Sequence, residues 1–348
     1  MKSNIFIGWD IGGANTKFCV FNQHFNIIDV KCKNINIWND FDNIKSIFNE
    51  VSTKYKNYNI SNFITITAES CDNFDNRISA MQSILKNCNL HIAGKKVFYT
   101  NSDKYLYYDD AVANPAKLFS TNWMLTAKFI NNLTNINLAI DIGSTTTDLV
   151  YKNMNLEDNI NDHKRLINNT LFYAGVVRTP IAMLVDKLEF MSKEVSVVNE
   201  VFSTTGDVFN LTNDIDFSDL EYVGSDKLDY TAENSYKRLA RSIGLDYKED
   251  MKQEIIKISC SIKEIFIDII FEKINFLLGN NLEKITLTSI GEGGFLIKDL
   301  SEKYNLNYLS IESENIILNN NIDKNILYKH FTAALVVKNF FEDKNIIL

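Results

Sequence analysis

The chain has 348 residues, 45% of them hydrophobic, enough for two packed cores rather than one. Its 36 Lys and Arg against 44 Asp and Glu give a net charge of -8, which argues against a nucleic-acid surface and a basic membrane patch. Five cysteines without a CxxC pair, four scattered histidines and no signal sequence or membrane-length apolar run point to a cytoplasmic protein with reduced thiols and no zinc site.

A short apolar β-run at 5–7 leads into Trp9-Asp10-Ile11-Gly12-Gly13-Ala14-Asn15-Thr16-Lys17, and a second strand follows at 18–21. A glycine turn between strands presses backbone N–H groups against phosphate oxygens, because no Cβ blocks the approach. Gly12, Gly13, Asn15 and Lys17 are therefore candidate phosphate ligands. Asp10 at the strand end does not itself attract phosphate and is assigned to a hard cation, Mg²⁺ that keeps several of its waters. The plain alternative is an ordinary turn with a surface Asp.

The spacing then predicts a helix over 40–58, with Ile44, Ile47, Phe48 and Val51 on one face. A strand at 63–67 ends at Ala68-Glu69-Ser70-Cys71-Asp72. Glu69 stands where ligands of α/β sheets gather, at a strand's carboxyl end, and is a candidate general base; the alternative is a surface-loop carboxylate or a cap for the next helix. Arg77 either clamps an anion or pairs with Asp72 or Asp75. A helix over 76–88, strands at 97–100 and 105–108 and a helix over 123–133 complete a first lobe, 1–134.

The second lobe, 135–326, repeats the device: a strand at 138–140, then Asp141-Ile142-Gly143-Ser144-Thr145-Thr146-Thr147-Asp148, then a strand at 148–151. Gly143, Ser144, Thr145 and Thr146 are the candidate phosphate ligands here, and Asp141 is a second carboxylate for the metal. Two such hairpins, one per half, predict two similar lobes facing one polyphosphate across a cleft. Helices are expected over 179–188, 200–211, 232–243 and 252–278. Arg178 precedes the first of them at Pro180, either as a bidentate anion ligand or as a surface residue of a helix-entry turn. Asp207, inside the second, reads as solvated when taken alone. A strand at 285–290 runs into Gly291-Glu292-Gly293-Gly294 and a helix over 295–303, so Gly293 and Gly294 offer a third anion-binding segment at a helix start. A last helix, 327–342, is expected to pack back onto a lobe, the first being the candidate.

The double hairpin with its late glycine junction resembles the sugar kinase and actin superfamily. Its members have two ribonuclease-H-like lobes around a metal–polyphosphate site. A closer likeness covers nearly the whole chain. Gly8 to Ala14, Glu69 to Phe74, Asn122-Trp123, Asp141 to Asp148, Tyr173 to Pro180, Thr205 to Val208 and Arg238 to Arg241 together resemble the hydantoinase/oxoprolinase-like proteins linked to tetrahydromethanopterin-dependent C1 transfer. Ala68 departs from that pattern, which has Gly before the Glu, and Ser70 is a milder departure.

The resemblance implies a transferase of methanofuran-type cofactor synthesis. Such an enzyme joins an aminomethylfuran-methyl diphosphate to the phenol oxygen of a tyramine- or tyrosine-derived acceptor and releases diphosphate. In that chemistry Asp10 and Asp141 would place Mg²⁺, and Glu69 or Asp72 would take the phenol proton. Tyr173 and Trp123 would flank the aromatic substrates or be plain core, and Arg77 and Asp207 would also contact substrate. ATP is not required, since the leaving diphosphate takes the place of a nucleotide's phosphates. The rival readings are an ATP-dependent kinase or ATPase of the same superfamily, and a nucleotide sensor that turns nothing over.

Overall fold

The structure is a computed structural model. It describes residues 2–35, 37, 42–71, 73–218, 222–311, 327 and 329–342, and every structural statement concerns these. The chain divides into two compact units: Met1–Ala139 with Val150–Arg165 and Leu309–Leu348, and Ile140–Leu149 with Leu166–Tyr308.

Unit 1 is built on strands β1 (Asn4–Gly12), β2 (Asn15–Asn22), β3 (Ile27–Asn34), β4 (Asn59–Thr67), β5 (Lys95–Tyr99) and β6 (Tyr105–Tyr107), with helices α1 (Asn43–Lys54), α2 (Arg77–His91), α3 (Tyr108–Ala113) and α4 (Asn122–Asn131). The sheet order is β3-β2-β1-β4-β5-β6. The first three strands are mutually antiparallel, whereas β4 and β5 continue parallel to β1. This is the ribonuclease-H-like arrangement that the resemblance implied. Side chains alternate between the faces of a strand, and both faces of β1 are covered, which is why it reads as one apolar run. Ile5, Ile7, Trp9 and Ile11 share a core with Ile44, Ile47 and Phe48 of α1, and Trp9 meets Phe48 edge-on at 5.3 Å. Phe6 packs against Phe341 at 4.8 Å on the helix that ends the described chain.

The second sheet runs β13-β12-β7-β8-β9. Its strands are β7 (Leu138–Ile142), β8 (Thr147–Tyr151), β9 (Leu171–Phe172), β12 (Thr286–Ile290) and β13 (Asn307–Tyr308). The order has the same logic: a glycine-turned hairpin, a third antiparallel strand beside it and later parallel strands on the other flank. Between its parts lie α5 (Asp162–Ile167), the hairpin β10 (Lys187–Phe190) and β11 (Lys193–Ser196), and helices α6 (Thr205–Leu211), α7 (Ala232–Ser242), α8 (Lys252–Leu278) and α9 (Gly294–Lys303). The last helix is α10 (Phe331–Glu342). On α8 the residues Ile255, Ile258, Ile262, Phe266, Ile270 and Ile274 are buried at the predicted spacing of three or four, each worth about 1.5–3 kcal/mol of apolar burial.

Two predicted helices differ from the structure. The segment 179–188 is extended at Pro180, which bridges to Thr204, then forms one 3-10 turn at Ile181–Met183 and enters β10. Pro180 therefore opens no α-helix behind Arg178. The helix expected from 200 begins only at Thr205, because the N–H of Thr204 is taken by the Asp207 carboxylate at 3.0 Å, which fixes the helix start there. The start of the helix predicted over 40–58 falls partly outside the described residues; α1 begins at Asn43.

Candidate functional site

In unit 1 the antiparallel register sets Asp10 opposite Lys17 and Ile11 opposite Thr16, leaving Gly13 and Ala14 at the tip of the turn. Lys17 Nζ lies 3.8 Å from Asp10 Oδ2, with side-chain exposures of 18% and 8%. The parallel register puts Gly12 beside Thr67, so Glu69, two residues further on, leaves the sheet at the same end as the glycine turn. The hairpin and the candidate base are neighbours because of strand register, although Gly12 and Glu69 are 57 positions apart in the sequence.

Glu69 is buried, with 1% exposure. Its Oε1 accepts a hydrogen bond from Arg77 Nη2 at 2.6 Å and another from Ser120 Oγ at 2.7 Å. Burial pushes the carboxyl above its ordinary range, while the Ser120 hydroxyl and the Arg77 guanidinium hold it down. Arg77 Nη2 and Ser120 Oγ also approach Asp162 Oδ2, at 3.4 and 3.0 Å. The surface-loop and capping alternatives for Glu69 both fail: the residue is interior, and α2 is capped by Asn76, whose Oδ1 accepts the Ser79 N–H at 3.0 Å. His330, just before α10, is pulled down to about 3 by burial and by the charges of Lys17 and Lys329, and is neutral at physiological pH.

In unit 2 the Gly143 N–H donates to Thr146 O at 2.9 Å and closes the second turn. The segment 173–180 is laced onto it. Val176 N–H donates to Gly143 O at 3.0 Å, and the N–H groups of Val177 and Arg178 reach Ser144 O at 3.1 and 2.9 Å. A Cβ on Gly175 would stand inside contact distance of Thr145 N and Gly143 O, so only glycine lets the two segments lie this close. The third segment arrives at the end of β12. Gly291 takes φ +84°, and a Cβ there would be 2.5 Å from Asp141 Oδ1. Gly293 N–H then donates to Ile142 O at 2.9 Å, which sets the start of α9 beside the end of β7. Three segments far apart in sequence thus meet around one turn, with the backbone of Arg178 pinned to Ser144.

A buried layer props up this arrangement. Thr205 Oγ1 donates to Gly175 O at 2.7 Å, and Gly206 N–H to Val177 O at 3.0 Å. Asp207 has 0% exposure; its Oδ1 accepts Arg238 Nε at 2.7 Å and its Oδ2 accepts the Thr204 N–H. Arg238 is itself fully buried and donates through Nη1 to Asp226 Oδ1 at 2.9 Å. Burial pushes Asp207 up to about 6 against the pull of Arg238, so the carboxylate is ionised at neutral pH. The expectation of a solvated Asp207 is therefore corrected. It belongs to the interior, where an arginine from α7 supplies the charge that water would have supplied.

The sequence pattern of the Hydantoinase/oxoprolinase family matches residues 62–320. The chain belongs to the hydantoinase/oxoprolinase family. Two curated relatives bear the same description, (4-{4-[2-(gamma-L-glutamylamino)ethyl]phenoxymethyl}furan-2-yl)methanamine synthase. The protein of Methanocaldococcus jannaschii is 27% identical over 314 residues, covering 87% of this chain and 90% of the relative. That of Methanococcus vannielii is 30% identical over 220 residues, covering 61% of this chain and 96% of the relative. Among solved structures, the xylulose kinase of Lactobacillus acidophilus aligns with 96% of this chain and 90% of its own, at 10% identity and a TM-score of 0.40.

The remaining candidates fall as follows. Trp123 is core, 2% exposed, with the Arg165 guanidinium 4.6 Å over its ring. Tyr173 is 52% exposed at the head of the segment that carries Arg178. Arg77 pairs with Glu69 and Asp162 and not with Asp75. Asp72 lies outside the described residues. Among the described residues no group of three or more His, Cys, Asp or Glu forms a ready metal cluster, and no helix is long and apolar enough to cross a membrane. Sequence reading missed Ser120 and Asp162, which carry no motif of their own, and the pairing role of Arg238, which was visible only as part of a family motif.

Proposed function

We propose that this family member is a cytoplasmic transferase of methanofuran-type cofactor synthesis, serving tetrahydromethanopterin-linked C1 metabolism. It would condense a furanylmethyl diphosphate with the phenol oxygen of a tyramine- or tyrosine-derived acceptor and release diphosphate. The observation that carries the reading is the likeness to both synthases over 90% and 96% of their lengths. The chemistry is self-consistent. The furfuryl C–O bond to diphosphate breaks, the phenol oxygen forms the new C–O bond at that carbon, and the phenol proton leaves to a base.

Charge grows on the departing diphosphate, so donors placed in advance lower the barrier. Gly143, Ser144, Thr145 and Thr146, Arg178 and the start of α9 at Gly293-Gly294 are the donors of unit 2; Gly12, Gly13, Asn15 and Lys17 are those of unit 1. Asp10 in unit 1 and Asp141 in unit 2 are each a carboxylate that would bind Mg²⁺. A carboxylate completed by phosphate oxygens and water is a donor set this hard cation takes, and when bound it would offset diphosphate charge. Glu69 receives the phenol proton. Its interior position and raised affinity for protons suit a proton acceptor.

Incubation of the purified protein with Mg²⁺, the furan diphosphate and γ-glutamyltyramine, followed by mass spectrometry, should give the aryl ether and one diphosphate per ether formed. Rapid ADP formation from ATP with no aryl ether would replace this reading with the kinase or ATPase alternative.

A further inference from the structure

The polar cluster around Glu69 is assembled from four separate stretches of chain. Glu69 follows β4, Arg77 opens α2, Ser120 precedes α4 and Asp162 opens α5. Ser120 takes φ +48°, a left-handed conformation that costs a non-glycine residue of order 1–3 kcal/mol and is kept only where the surroundings enforce it. Its two neighbours supply that enforcement. The Phe119 ring lies under the Arg77 guanidinium at 4.7 Å, and Thr121 Oγ1 shares a buried 2.8 Å hydrogen bond with Thr65 Oγ1 of β4. Phe119, Ser120 and Thr121 thus form a cradle tied to α2 on one side and to the sheet on the other.

The two oxygens of Glu69 are treated differently by this cradle. Oε1 accepts from both Arg77 Nη2 and Ser120 Oγ. Oε2 is buried and accepts no hydrogen bond from another described residue. A buried acceptor left in that state costs about 1–3 kcal/mol unless a donor arrives. Among the described residues the charged groups in this cluster are Arg77 on α2 and Asp162 on α5.

We propose that Ser120 is a positioning residue for Glu69: with Arg77 it occupies Oε1, fixes the plane of the carboxylate and leaves Oε2 to receive the phenol proton of the acceptor. The inference rests on the transferase reading for the identity of that proton. The step balances. The acceptor's O–H bond breaks, its electron pair goes into the new C–O bond, the proton goes to Oε2, and diphosphate leaves with the electrons of the bond it gives up. Ser120 donates to the charged form of Glu69, so its hydroxyl keeps the base available at lower pH than burial alone would allow.

The test compares Ser120→Ala with Ser120→Gly. Both remove the hydroxyl, but glycine also removes the backbone strain. A purely structural Ser120 would leave Ser120→Gly equal to the parent, or more stable and equally active. The proposal requires that both variants move the acid limb of the kcat/KM profile upward by about one pH unit. kcat should fall about tenfold, less than the roughly 10²–10⁴-fold of a general base, with KM for the phenol little changed. A second measurement needs no substrate: ¹³C NMR titration of carboxyl-labelled glutamates, with the Glu69 signal assigned by its loss in Glu69→Gln. The Glu69 midpoint should rise in both Ser120 variants. If the midpoint and the pH profile of Ser120→Gly overlay those of the parent, the proposal is overturned. If the midpoint rises but no aryl ether forms with any form of the protein, the coupling of Ser120 to Glu69 stands and the transferase reading falls.

Discussion

Each unit contains a buried carboxylate paired with an arginine, and the two pairs are finished differently. In unit 2, Asp207 has both oxygens engaged, by Arg238 Nε and the Thr204 N–H, and Arg238 is buried and shared with Asp226. In unit 1, Glu69 has both of its side-chain donors on Oε1, and Arg77 is still 36% exposed. A fully satisfied pair holds elements in place: here it fixes the start of α6, whose first residues hydrogen-bond the segment carrying Arg178. A pair with one carboxylate oxygen still open retains capacity for a ligand. If Glu69 is the base proposed above, the hydrogen-bond partners of each oxygen, and not burial alone, separate scaffold from chemistry.

The contrast can be broken by mutation. Glu69→Gln should lower kcat by about 10²–10⁴-fold while the thermal melt stays near that of the parent, since the amide keeps an acceptor for Arg77 and Ser120. A collapse of the melt instead would make Glu69 scaffold too. Asp207→Ala should act the other way, leaving Arg238 without one of its buried partners and lowering the unfolding free energy by about 3–5 kcal/mol in a denaturant titration. The double variant Asp207→Leu with Arg238→Met should recover much of that loss, because it removes both buried charges together.

At neutral pH the smallest effect concerns His330, whose buried Nδ1 has no hydrogen-bond partner among the described residues. Its folded-state value, lowered from 6.5 to about 3, means that the unfolded chain binds the extra proton first as pH falls. Its contribution to stability is therefore complete above about pH 6.5 and is lost progressively toward pH 3. His330→Gln should flatten that part of the stability–pH curve, as read by urea unfolding at several pH values.

Both glycine hairpins were legible in the sequence because a strand, a glycine turn and a second strand form a local pattern that needs no partner to be recognised. The long helix α8 was legible for a similar reason: its apolar spacing persists over 27 residues. The helix expected over 179–188 failed where local pattern and tertiary pairing disagreed, since the bridge from Pro180 to Thr204 and the β10–β11 hairpin recruit partners that no window of sequence contains. At the candidate site, Glu69 was visible from its place after a strand, but its burial was not. Its partner Ser120 is 51 positions away, and Asp162, which Ser120 also meets, is 93 away; both are brought in by chain reversals with no signature of their own.

Helix α10 has a consequence for biosynthesis. It covers the face of β1 that carries Phe6, yet it is made more than 300 residues after that strand. Unit 2 ends at Tyr308, so its polypeptide is all translated before the closing helix of unit 1 exists. On the ribosome the lobe begun first is finished last, and until then its central strand must wait with one apolar side uncovered.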